Sequence, residues 1–130
     1  MQVNDQLRLD MLNVAKASIE DGTADHKIIF KDAGDIPLAE LEFKDLVSFG
    51  ADYKFRAPDD TYALRTAVIA DGRAVSFAIE GKINGGVDVA LSGSVGSLIS
   101  NADIRFNKQD WATGASITLN NLIIFIKQGT

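Results

Sequence analysis

Cysteine is absent from this 130-residue chain and histidine occurs only once. The first absence removes thiolate nucleophiles, Cys-ligated zinc, iron–sulfur clusters and disulfides together, and leaves the redox compartment open. The second removes any centre that needs two imidazoles. Long apolar runs are missing too, since no stretch approaches the roughly 20 apolar residues of a membrane span. Residues 1–10 are polar and lack the apolar run of a signal peptide, so the expectation is a mature chain beginning at Met1 and made in a cytoplasm. Positive charge is in deficit: 13 Lys and Arg stand against 18 Asp and Glu, a formal net charge of −5. Duplex nucleic acid and anionic membrane surfaces both demand a basic face, so neither is expected as a partner.

What is present is ordinary globular material, with 46% hydrophobic and 24% charged residues. A chain of this length makes one domain and buries roughly two-thirds of its unfolded surface without a metal or disulfide staple. No repeat, low-complexity tract or linker divides it.

One helix is expected over Asp5–Glu20, because Leu7, Met11, Leu12, Val14, Ala15 and Ile19 fall on one broad arc of a 3.6-residue wheel, with Asp10, Asn13, Lys16 and Glu20 opposite. Asn4 or Asp5 can cap its start, and Gly22 sits where a left-handed C-terminal cap is expected. Leu9 is the one large apolar residue on the polar side, which makes it a candidate partner contact.

Beyond Gly22 the period changes to 2. Ile28 and Phe30 form one alternating set, Ala39, Leu41 and Phe43 a second, and residues 49–55 a further short strand. Asp71-Gly72 reads as a tight hairpin turn with positive φ, between 62–70 and a strand carrying Val75, Phe77 and Ile79. Asn84-Gly85-Gly86 marks the next turn, after which Val87, Val89, Leu91 and Val95 share a face. Ile104 and Phe106 mark another strand. The last begins at Ile117 and Leu119 and shifts phase at Asn120-Asn121, as a bulge would make it do. The segment Leu122-Ile123-Ile124-Phe125-Ile126 is apolar on both pleat faces, and reads either as a central strand covered on both sides or as an edge covered by another subunit. Seven or eight short strands, Gly-rich turns and one N-terminal helix point to a mainly β fold, an antiparallel β-sandwich of jelly-roll or immunoglobulin-like type.

Catalytic signatures are thin. His26 follows Asp25 and serines are plentiful, yet no G-x-S-x-G elbow accompanies them, and an exposed loop histidine is the expectation. Asp21 with Asp25, Asp32 with Asp35, and Asp59 with Asp60 sit beside Gly or Pro as turn residues do, and the D-x-D-x-D-G spacing of a calcium loop is missing. Gly81, Gly85, Gly86, Gly93 and Gly96 punctuate strands, because Gly81-Lys82 runs into Ile83 and not into the Ser or Thr of a phosphate loop. No catalytic, cofactor or metal residues are therefore expected, and no enzymatic activity. Glu40, Glu42 and Asp45 form an acidic face suited to a basic partner. Trp111, the single tryptophan, stands beside Asp110 in a polar stretch, where it either anchors a partner or a sugar or lids the end of the fold.

The order of segments carries a resemblance. The helix Leu9-Asp10-Met11-Leu12-Asn13-Val14-Ala15-Lys16-Ala17-Ser18-Ile19-Glu20-Asp21-Gly22 precedes strands at 27–32 and 38–43 and the turn Ser48-Phe49-Gly50-Ala51. Ile69-Ala70-Asp71-Gly72-Arg73-Ala74-Val75, Leu91-Ser92-Gly93-Ser94-Val95-Gly96 and Gly114-Ala115-Ser116-Ile117-Thr118-Leu119 follow, then an apolar strand. This layout resembles a family of small proteins encoded in the structural-gene clusters of tailed phages and prophages. Two departures fall in loops: Thr23-Ala24-Asp25-His26 replaces the usual Gly-Pro-Gly, and the loop over 33–37 is short. The resemblance implies a virion component, a head-decorating (cement) protein first and a neck or tail accessory protein second, which binds capsid protein and other copies of itself. A carbohydrate or cell-surface module built on Trp111 is the competing class.

Overall fold

The Asn4 side chain accepts hydrogen bonds from the backbone N–H groups of Gln6 and Leu7 and so caps a helix, α1, over Asp5–Glu20. The computed structural model describes residues 4–21, 26–49, 52–120 and 123–124. The expected cap at Gly22 and the bulge at Asn120-Asn121 fall partly or wholly outside those residues. Helix boundaries agree with the sequence reading; the buried face does not. Leu12 and Ile19 enter the core, Leu9 is half-buried, and Leu7, Met11 and Val14 remain 52%, 45% and 71% exposed. The broad apolar arc is therefore split between two directions.

Twelve strands follow among the described residues: β1 Lys27–Lys31, β2 Pro37–Glu42, β3 Asp45–Phe49, β4 Asp52–Arg56, β5 Ala63–Ala67, β6 Gly72–Arg73, β7 Ser76–Ile83, β8 Gly86–Ser97, β9 Ile104–Phe106, β10 Asp110–Trp111, β11 Ser116–Asn120 and β12 Ile123–Ile124. Five of them form one sheet in the order β2-β1-β7-β8-β9, three form another in the order β12-β4-β3, and β11-β5 and β10-β6 are separate pairs. The chain is thus mainly β with one N-terminal helix. The antiparallel sandwich expected is met only in part: β8 and β9 run parallel through Val95↔Ile104, and the mixed sheets curl as a half-barrel. The core lies inside that curl, where Ile28, Phe30, Leu38, Leu41, Phe55, Leu64 and Ile79 are almost completely covered.

Several local expectations change. The single strand expected over 49–55 is a hairpin of β3 and β4, closed by Phe49↔Asp52 and clamped where the Arg56 guanidinium donates to both Asp45 carboxylate oxygens at 2.9 and 2.7 Å. Of the apolar C-terminal segment, Ile123 and Ile124 are described and pair with β4 as β12, at the edge of the three described strands.

Asp71-Gly72 is not a hairpin turn. β5 pairs with β11, and Gly72 pairs with Trp111 outside the left-handed region. Residues 68–74 instead cross between elements: the Ile69 N–H donates to Leu38 and the Val68 N–H to Ala115, while the Asp71 carboxylate accepts from the Thr113 N–H and hydroxyl. Glycine is required here by closeness, since a Cβ on Gly72 would lie 2.8 Å from a Leu38 methyl.

The tight turn falls at Asn84-Gly85, whose φ angles of 51° and 83° join β7 to β8. A register shift between Ile79 and Glu80 then leaves Ala90 as the extra residue of β8. It reverses the phase of the strand, so Val87 and Val89 are exposed, while Leu91 and Val95 pack inward against the core.

These contacts predict opposite outcomes for two glycines. Gly72→Ala should lower the unfolding free energy by roughly 1–3 kcal/mol through overpacking on Leu38, whereas Gly86→Ala, whose Cβ meets nothing within 4 Å, should stay within about 0.5 kcal/mol of the parent. Urea unfolding of both variants measures the difference.

Candidate functional site

Trp111 lies at the centre of an aromatic cluster. Its ring meets Phe30 edge-on at 5.7 Å and Phe106 at 5.1 Å, its indole N–H donates to the Lys108 carbonyl at 2.8 Å, and it is only 7% exposed. This geometry matches the lid of the two roles the sequence left open, since the ring packs edge-on against core aromatics and leaves little of its face exposed. Asp110 points the other way, exposed and paired with Arg73 at 3.0 Å. Leu9 belongs to α1, which packs chiefly on β7 and less on β3, β4 and β8. The fold therefore does not gather Trp111, Asp110 and Leu9 into one site.

His26 is a strut and not a free loop histidine. Its φ is 44°, its ring stacks on Phe43 at 5.6 Å, and its Nε2 donates to the Glu20 carbonyl at the end of α1 at 2.9 Å. Nδ1 faces the Lys44 carbonyl at 3.4 Å. Both ring nitrogens are turned toward backbone carbonyls, so the ring ties the helix end to the start of β3 and is not posed as a base for any serine.

Asp32, Asp59 and Asp60 sit in turns as expected, Asp71 instead holds a residue distant in sequence, and Asp25 lies outside the described residues. Asp32 Oδ1 accepts from the Gly34 and Ile36 N–H groups and closes the β1–β2 turn. Asp59 accepts from the Thr61 hydroxyl and N–H, Asp60 binds the Lys44 ammonium at 2.8 Å, and Asp71 holds Thr113. Each of these three titrates below the ordinary carboxylate range: Asp59 because of the Thr61 hydroxyl, Asp60 because of the Lys44 hydrogen bond and charge, Asp71 because of the Thr113 N–H. Among the described residues no three His, Asp or Glu side chains converge as a metal site would require. Asp45 is taken up by Arg56 and leaves the acidic face.

Glu40 and Glu42 stay on that face. They project from the outer side of β2 into an open cleft of about 450 Å³, whose far wall is Ala57, Pro58, Asp59, Ala63, Arg65 and Thr66. Glu40 pairs with Lys27 at 3.2 Å, and Glu42 is exposed. A cleft with three carboxylates, one guanidinium and no aromatic ring suits a lysine or arginine side chain better than a sugar.

Sequence reasoning missed the other exposed feature. Leu98 and Ile99 stand at the tip of the turn between β8 and β9, with Ile99 98% exposed, and the Ser100 N–H and hydroxyl both donate to the Ser97 carbonyl to hold the turn. Two large aliphatic residues in a turn of serine and asparagine were the available signal. Comparison with family models, with curated proteins and with solved structures returns no match.

Trp111→Ala should cost about 3–5 kcal/mol of stability by opening a cavity beside Phe30 and Phe106, and thermal unfolding of the free chain measures it. His26→Ala should cost about 1 kcal/mol for the lost hydrogen bond. The lowered carboxylates set an acid dependence. Their bonds add stability that is complete above the ordinary carboxylate range and lost as pH falls through the lowered values. Unfolding should therefore ease below about pH 4, and Asp71→Asn, which keeps an acceptor for Thr113 but no charge, should remove the share of that slope due to Asp71.

Proposed function

We propose that this chain is a non-enzymatic structural protein of a tailed-phage particle, which decorates and cements the capsid head by binding shell protein and further copies of itself. The observation that carries the reading is where the large apolar side chains go. A core of leucine, isoleucine and aromatic residues is closed, yet Leu7, Met11, Val14, Ile36, Ile69, Leu98 and Ile99 all remain largely exposed. Grouped apolar side chains, as Leu7, Met11 and Val14 are on one helix and Leu98 and Ile99 on one turn, are a feature of proteins that assemble. The groups that could have served chemistry, His26, Asp32, Asp59 and Asp71, are instead committed to backbone and turn bonds.

Two further observations support this reading over its rivals. The segment order resembles that of small phage structural proteins. The excess of acid, together with Glu40 and Glu42 lining an open cleft, favours a partner with basic patches, and salt should weaken that attraction. A carbohydrate module loses its main support because Trp111 is buried.

Incubation of the purified chain with particles that lack it, followed by sedimentation and cryo-electron microscopy, tests the proposal. The expected outcome is saturable, salt-sensitive occupancy at regular positions on the head. Density confined to the neck or tail would transfer the protein to the accessory class. Absence of binding to particles and to itself, together with binding to glycans, would overturn the structural reading.

A further inference from the structure

The helix α1 has two apolar sides, and the fold uses one. Leu12 and Ile19 are buried, and the close approach behind them is built in: a Cβ on Gly81 would lie 2.8 Å from that of Ala90 and 3.0 Å from Ser18 Oγ, while the Ser18 hydroxyl donates to the Lys82 carbonyl at 2.7 Å. With the helix pinned in that rotation, Leu7, Met11 and Val14 are left outside. Their spacing of four and then three residues is that of a seam which receives another helix.

Charge around the seam selects the partner. The carboxylates of Asp10 and Asp21 lie on the solvent side of the seam, and both residues are exposed. The two cations of the helix turn away: Arg8 is largely covered and pairs with Asp5 at 3.2 Å, and Lys16 pairs with Glu20. Lys82 stands 3.7 Å from Asp21 at the far end. Among the described residues the open flank therefore carries Asp10 beside the seam, where it accepts from the Gln6 side-chain amide, and Asp21 about two turns beyond Val14, where Lys82 meets it.

A second copy of the chain fits poorly. Antiparallel pairing of the seam with itself brings Asp10 against Asp10 in two chains that each carry a net charge of −5.

We infer that the outward seam of α1, Leu7, Met11 and Val14, is a docking face for an amphipathic helix of another protein whose apolar stripe is flanked by lysine or arginine. This rests on the assembly reading above and names the surface and the partner's chemistry. A contact of three side chains is small against the roughly 800 Å² per partner of a stable pair, so binding at this face alone is weak.

The test uses a probe peptide about 14 residues long, or four helical turns, with leucines at three- and four-residue spacing and lysine flanks, set against the same peptide with glutamate flanks. Methyl and amide NMR spectra of the full chain record binding. The lysine-flanked peptide should shift the methyl groups of Leu7, Met11 and Val14, lose affinity as salt is raised, and lose at least about tenfold in affinity with Val14→Glu. Val14 is 71% exposed, so the variant should keep the parent's amide spectrum. Ile99→Ser, on the distant turn, should leave binding unchanged. Equal binding of the glutamate-flanked peptide, or shifts that spare the seam, would overturn the inference. So would a dimer that Val14→Glu converts to monomer, because the occupant would then be a second copy. Particle occupancy that survives Val14→Glu would remove the seam from the interface and leave the virion proposal standing. An intact peptide response with no particle binding would do the reverse.

Discussion

Phe30 makes the contact on which the rest of the fold depends. It is completely buried in β1, and it meets Phe106 of β9 at 5.5 Å, Trp111 of β10 at 5.7 Å and Phe77 of β7 at 6.4 Å. Edge-to-face aromatic pairs are worth about 0.5–1.5 kcal/mol each beyond the area they bury. More important is what they connect: β9 adds to the sheet in parallel through three residue pairs, and β10 is a two-residue strand held by β6 alone. Neither is long enough to hold its place by backbone bonds. The aromatic cluster fixes both, and with them the direction in which the sheet curls.

A second, smaller junction governs the helix. His26 on Phe43, and Phe43 edge-on to Phe55 at 4.8 Å, link the end of α1 to β4, while Glu20 accepts from the Leu46 N–H at the start of β3. Together with the Ser18–Lys82 bond these contacts set the rotation of α1, and the rotation decides which apolar residues are spent on the core. The outward seam is thus a consequence of how the helix is tied at its C-terminal end, not of a weak helix pattern.

Elements that depend on neighbours in sequence were legible. The cap at Asn4, the period over Asp5–Glu20, the alternation of Ile28 with Phe30, and the Asn84-Gly85 turn all follow from local sterics and hydrogen bonding. What the sequence did not disclose was pairing at long range. Asp71-Gly72 has the composition of a tight turn, but β5 finds its partner in β11, and that choice depends on which hydrophobic faces meet in the core. The bulge at Ala90 was equally hidden, and it sends Val87 and Val89 to the opposite face from the one alternation assigned. Of the candidate site, Glu40 and Glu42 were legible because they alternate with buried residues. The role of Trp111 was not, since polar neighbours in sequence say little about the aromatic rings that reach it in space.

Helix α1 faces two ways, with Leu12 and Ile19 built into the core and Leu7, Met11 and Val14 exposed on the other side. Carbene footprinting of the chain, free and bound to particles, measures this directly, because labelling reports side-chain exposure residue by residue. Leu7, Met11 and Val14 should label strongly in the free chain and lose that labelling on the particle, while Trp111 should label little in either state. Labelling of Trp111 in the free chain that disappears on binding, with the helix unchanged, would contradict this arrangement.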